Sequence, residues 1–164
     1  MLKILFLLLI NIILNANTFS VVSYNVENLF DLKEDGNEYI EFIPNTKSNW
    51  NENTFDIKIT NLLKVVNDLN ADILALQEIE NEDLMKLLLK KLPQYKFYSF
   101  IKYPDSSVGV GFLSKIEIKN NNFIDVKFDT KNFRPILETT FIYKNIEFKI
   151  FNNHSASEKS AESY

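Results

Sequence analysis

The segment Asp72-Ile-Leu-Ala-Leu-Gln-Glu-Ile-Glu-Asn81 constrains this chain most. Ile73, Leu74, Ala75 and Leu76 run without a polar break. A short, wholly apolar run bounded by polar residues reads as a strand buried on both faces, and such strands sit in sheets covered on both sides. The run ends in Gln77-Glu78. A carboxylate at the end of a buried strand is costly unless it is paired or metal-bound. Ligands of α/β proteins also gather outside the carboxyl ends of strands. Two readings of Glu78 stand at this point: a metal ligand at an active site, or a solvated glutamate just past a strand end.

The chain has 164 residues, enough for one domain, and is 46% hydrophobic with 14 Phe and 7 Tyr, which suits a sheet-rich fold. Residues 1–16 carry Lys3 and an apolar run over 4–14 broken only by Asn11. They read as a secretory signal, since the run falls short of the ~20 apolar residues of a membrane span. An uncleaved anchor and a buried N-terminal strand are the alternatives. The signal predicts a secreted or periplasmic protein with no stable membrane anchor, its domain covering 19–164.

Residues 19–26 read as a strand that runs into Asn25 and Glu27, and 32–53 as a long polar loop. The stripe Phe55, Ile59, Leu62, Leu63, Val66 and Leu69 predicts a helix over 54–69, capped by Asn53 or Thr54. Leu84, Met85, Leu88 and Leu92 predict a second over 82–92, stopped by Pro93. Strands follow at 96–101, 108–114, 123–128, 135–143 and 146–152, with turns at 120–122 and 144–145. Gly109 and Gly111 within 108–114 suggest close backbone approach. Residues 158–164 look like the opening of a helix cut within two turns, so the chain is expected to be the N-terminal part of a longer domain.

With no cysteine, neither a disulfide framework nor a thiolate metal site is available. The single histidine, His154, excludes a His-rich zinc site, and a Ser-His-Asp site would have to use it. A net charge of −4 argues against a protein held on nucleic acid mainly by its own basic surface. A phosphodiester substrate stays open, because a bound divalent cation supplies local positive charge.

Three predicted strands end in polar groups: Asn25 and Glu27; Gln77 and Glu78; Asn152, Asn153 and His154. If the strands share polarity at these ends, the groups converge. Carboxylate and amide oxygens suit a hard ion, Mg²⁺ or Mn²⁺. His154 beside it would transfer a proton. Arg134, before Pro135 at a strand start, could hold a phosphate oxygen. Plainer readings remain beside these: Asn25 as a turn residue, His154 as an exposed loop histidine, Arg134 as a surface residue.

The sequence resembles the endonuclease/exonuclease/phosphatase superfamily, in its secreted bacterial branch. The resemblance rests on Ser23-Tyr-Asn-Val-Glu-Asn-Leu-Phe-Asp31, the 72–81 segment, Val108-Gly-Val-Gly-Phe-Leu-Ser114, Arg134-Pro-Ile-Leu-Glu138 and Asn152-Asn-His-Ser-Ala-Ser-Glu-Lys-Ser-Ala-Glu-Ser-Tyr164, in the family's order and spacing. It implies an α/β chain forming the N-terminal part of a four-layer αββα sandwich, with the site at one edge of its two sheets. It further implies Mg²⁺ (or Mn²⁺) bound by Glu78, Asn25 and Glu27. His154 and Asn25 would act in phosphodiester cleavage, and Arg134 and Asn153 at the phosphate. The expected activity is that of a secreted nuclease, a phosphodiester hydrolase whose partner is nucleic acid. Family members carry further motifs, an Asp-x-Asn segment and a late Asp-His, which this sequence does not reach. The chain alone is therefore expected to be inactive. The competing expectation is a remnant or binding module that keeps the scaffold without cleavage.

Overall fold

The computed structural model describes residues 18–128, 131–132 and 134–154. The expected signal at 1–16 and the helix opening at 158–164 lie outside the described residues.

Parallel and antiparallel pairing combine in the first sheet. Strand β1 (Val21–Leu29) lies parallel to β2 (Ile73–Ile79), and β2 pairs antiparallel with β4 (Gly109–Ser114), which pairs with β3 (Phe97–Ile101). The second sheet orders β5 (Glu117–Ile124), β8 (Ile136–Tyr143) and β9 (Ile146–Asn152), all antiparallel. A two-residue ladder joins β6 (Lys127–Phe128) to β7 (Lys131–Asn132).

β2 has the predicted character of a strand covered on both faces. Leu74, Leu76 and Ile79 pack with Ile59, Leu62 and Val66 of helix α1 (Glu52–Leu69) and with Leu84, Met85 and Leu88 of helix α2 (Glu82–Lys91). Ile73 and Ala75, one residue out of phase, face Leu137 and Phe141 of the second sheet. The described residues thus form helices on sheet on sheet, part of an αββα sandwich. Among them, no helix is long and apolar enough to cross a membrane.

Several local expectations change. Asn51 caps α1, accepting from Asn53 N and Thr54 N while the Thr54 hydroxyl accepts from Asn51 N, so the helix starts earlier than the stripe shows. Asn120, Asn121 and Asn122 form no turn: they pair with Thr140, Thr139 and Glu138 inside β5, where the ladder overrides the turn preference of asparagine. The predicted strand over 123–128 is divided, its first two residues belonging to β5 and its last two to β6. The long polar loop has an apolar centre: Phe30 stacks on Phe42, and Trp50 meets Phe42 and Phe55 edge-on. Lys144 and Asn145, both at positive φ, make the predicted two-residue hairpin between β8 and β9.

Candidate active site

The predicted strand end at Gln77-Glu78 is an interruption inside a strand. β2 continues through Glu78 to Ile79. Against β4 the partners step from Gln77↔Val110 to Ile79↔Gly109, so Glu78 is an extra residue in β2. Against β1 they step from Asn25↔Gln77 to Leu29↔Ile79, which leaves residues 26–28 opposite Glu78 alone. Glu78 (φ 66°), Glu27 (φ 54°) and Asn28 (φ 63°) are left-handed. Each such non-glycine residue costs about 1–2 kcal/mol. Paired bulges re-aim side chains. Here they swing Glu78 off the helix-facing row and return Ile79 to that row.

Both oxygens of the Glu78 carboxylate are held. Asn25 Nδ2 donates to Oε1 at 2.9 Å, and the backbone N–H of Asn28 donates to Oε2 at 2.9 Å. Asn25 Oδ1 accepts in turn from Glu27 N at 2.8 Å, which locks the amide orientation. His154 Nε2 lies 3.2 Å from Glu78 Oε1, and Arg134 Nη1 contacts His154 Nδ1. These partners assign the tautomer: Nε2–H donates to the carboxylate and Nδ1 accepts from the guanidinium. Burial holds the His154 pKa below its ordinary value; Arg134 adds to this and Glu78 opposes it. Val108, Gly109, Val110 and Pro135 line a recess beside Arg134 and His154.

Of the predicted site residues, Asn25, Glu78, His154 and Arg134 therefore form one connected chain of contacts. Glu27 joins through its backbone, and its carboxylate is exposed. Asn153 lies exposed between Asn152 and His154. The carboxylates of Glu78 and Glu27 and the amide oxygen of Asn25 suit a hard divalent cation by type, the three hydrogen bonds on Glu78 leave a lone pair on its carboxylate, and Asn25 as placed turns its nitrogen to Glu78 and its oxygen to Glu27 N.

Gln77, paired with Glu78 at the predicted strand end, makes no hydrogen bond with it. It faces the second sheet, donating to Asn152 Oδ1 at 2.7 Å and to Ser23 Oγ at 3.2 Å. Asn81 caps α2, its Oδ1 accepting from Leu84 N, and its Nδ2 donates to Asp31 Oδ2. Residue-by-residue reading misses one participant, the Asn28 backbone, and a separate buried carboxylate, Glu80. The Asn28 backbone N–H enters through a conformation that side-chain identity does not announce. Glu80 is buried, accepts from Asp31 N at 2.7 Å, and offers an oxygen within 4.8 Å of oxygens of Asp35 and Glu38. Its carboxyl is pushed up to about 7 by burial and by the charges of Asp31, Glu38 and Asp35, against the Asp31 hydrogen bond.

The sequence profile described as Endonuclease/Exonuclease/phosphatase family matches residues 20–163. A search of curated protein sequences finds no match. Among solved structures, truncated TDP2 from Caenorhabditis elegans superposes with a TM-score of 0.60 at 16% identity, covering 88% of this chain and 49% of that one. D. rerio TDP2 complexed with single strand DNA product gives 0.57 at 13% identity, covering 88% and 49%. ANGEL2, described as a 2′,3′-cyclic phosphatase, gives 0.59 at 18% identity, covering 85% and 41%. The chain thus spans about half the length of these structures or less, and at such identities the likeness is one of fold.

Proposed function

Because the chain belongs to the Endonuclease/Exonuclease/phosphatase family, we propose that it carries the metal-binding part of a divalent-metal-dependent phosphodiester hydrolase acting on nucleic acid. The observation behind this reading is Glu78: a carboxylate at a double bulge, oriented from three sides by Asn25, Asn28 and His154. Such built-in strain is characteristic of sites where geometry serves chemistry. A nucleic acid is the preferred substrate because a similarly folded protein, D. rerio TDP2, is described with a single-stranded DNA product.

The chain's own residues divide the work as follows. Glu78 would hold Mg²⁺ or Mn²⁺ through the lone pair its hydrogen bonds leave open, and Asn25 Oδ1, which accepts from Glu27 N, and the exposed Glu27 carboxylate would have to turn towards the ion to join it. Bound there, the ion supplies charge neutralisation at the phosphate and lowers the pKa of water. Asn25 fixes the Glu78 carboxylate plane. Arg134, held in place against His154, presents guanidinium donors to a phosphate oxygen, and the exposed Asn153, next to His154 in the chain, would add an amide donor. His154, neutral with its proton on Nε2 next to Glu78, can donate that N–H as a hydrogen bond to charge developing on a phosphate or departing oxygen, which stabilises it without a proton transfer. Secretion or periplasmic location rests on residues 1–16 alone.

The test is cleavage of an end-labelled single-stranded DNA oligonucleotide by the intact protein, with Mg²⁺ and with EDTA. Metal-dependent cleavage that falls in Glu78→Gln by more than the roughly hundredfold typical of outer-shell losses is expected. Full activity in Glu78→Gln, or in EDTA, would remove Glu78 as the metal ligand. Metal binding without cleavage of any phosphodiester would favour the binding-module reading.

A further inference from the structure

The left-handed pair Glu27–Asn28 needs an external hold. It sits at a register break, and the Glu27 carbonyl has no ladder partner between β1 and β2. Asn28 in the same pair supplies the N–H that fixes Glu78 Oε2. The carbonyl is met from outside the sheet: Lys58 Nζ donates to Glu27 O at 2.9 Å. Lys58 lies on α1 immediately before Ile59, a core residue at 3% exposure, so its backbone is anchored.

We propose that Lys58 is a positioning residue of this site: its ammonium fixes the Glu27 carbonyl, holds the Glu27–Asn28 pair left-handed, and so keeps the Asn28 N–H on Glu78. Three elements are joined by this relay, α1 through Lys58, β1 through Glu27 and Asn28, and β2 through Glu78. The ammonium is also drawn to the Glu27 and Glu78 carboxylates, though burial works against its charge. A lysine suits this position because its four-carbon stem packs while the head reaches a single acceptor. Its consequence for metal binding rests on the reading of Glu78 given above, whereas the hydrogen-bond relay stands on geometry alone.

The experiment uses the chain labelled with ¹⁵N, following the Asn28 amide resonance and titrating with Mn²⁺. Lys58→Met keeps the apolar stem and removes the donor. It is expected to move the Asn28 amide towards a non-hydrogen-bonded shift and to weaken Mn²⁺ binding about tenfold, the size of an outer-shell loss. Lys58→Arg keeps a donor for the Glu27 carbonyl and is expected to restore both. Lys64→Met, on the exposed side of the same helix, should change neither. An Asn28 amide unmoved in Lys58→Met, or moved equally in Lys64→Met, would overturn the proposal. If the unsubstituted chain binds no Mn²⁺, the metal reading of Glu78 falls, and the Asn28 amide still decides the role of Lys58.

Discussion

Gln77 on β2 donates from Nε2 to Oδ1 of Asn152 on β9 at 2.7 Å, with both side chains buried. The bond crosses from one sheet to the other. Asn152 uses its own amide protons on the carbonyls of Leu76 and Gly111, each at 2.9 Å, so one side chain ties β9 to β2 and β4. His154 follows two residues later, and its place beside Glu78 depends on where Asn152 pins the end of β9. Replacing Asn152 with Leu leaves Gln77 short of a buried partner and should cost about 3 kcal/mol in urea denaturation. Gln77→Ala should cost less. The double variant should fall short of additivity by at least about 1 kcal/mol, since the two share one bond. Additive losses would mean the bond is not coupled across the sheets.

The one histidine gives a single imidazole signal for titration. His154 should titrate below 6.5 in the folded chain, because burial and Arg134 both disfavour its cation. Arg134→Gln should raise that pKa, and Glu78→Gln should lower it further. The unfolded chain takes up a proton near pH 6.5 while the native state does not. Stability is therefore unaffected by His154 above pH 6.5 and falls as the pH drops from 6.5 towards its lower native value. A titration midpoint above 6.5 would contradict the arrangement.

Glu80 predicts the opposite slope. Its native pKa of about 7 lies above the ordinary 4.5. Between these values the native state keeps a proton that the unfolded chain has released, so this contribution is complete below pH 4.5 and is lost as the pH rises through 7. Glu80→Gln retains the acceptor for Asp31 N and removes the charge. It should flatten this part of the stability–pH curve and stabilise the chain at pH 8 by on the order of 1–2 kcal/mol. Denaturation midpoints at pH 5, 6.5 and 8 for the two proteins check this, and an unchanged slope would refute it.

Gly111 has no room for a side chain. A Cβ there would stand 2.8 Å from the Ser99 carbonyl oxygen and 2.8 Å from Met85 Cε. Methionine can yield, but the strand carbonyl cannot without disturbing the β3–β4 pairing. Gly111→Ala should destabilise by about 1–3 kcal/mol. Adding Met85→Ala should recover little of that loss, and full recovery would place the conflict at Met85 instead.

The sequence by itself determined the broad frame and which polar residues stand at the ends of buried strands. The apolar run 73–76 marks β2 as a strand covered on both faces, the helical stripes mark α1 and α2, and the polar groups that interrupt or follow the strands mark Asn25, Glu78 and His154. These follow from period and polarity, which are local. The tertiary structure decided the geometry that brings them into contact. Glu78 is inside β2, aimed by bulges that arise only when β1 and β4 are paired against it. The Asn28 N–H and Lys58 enter through backbone conformation and helix placement rather than through side-chain type. Gln77 belongs to the interface between the sheets, and the asparagines at 120–122 lie in a strand, because ladder partners distant in sequence outweigh local turn preference. Hydrogen-bond partners fifty or more residues apart carry no local signal, and those partners set where the Glu78 carboxylate points.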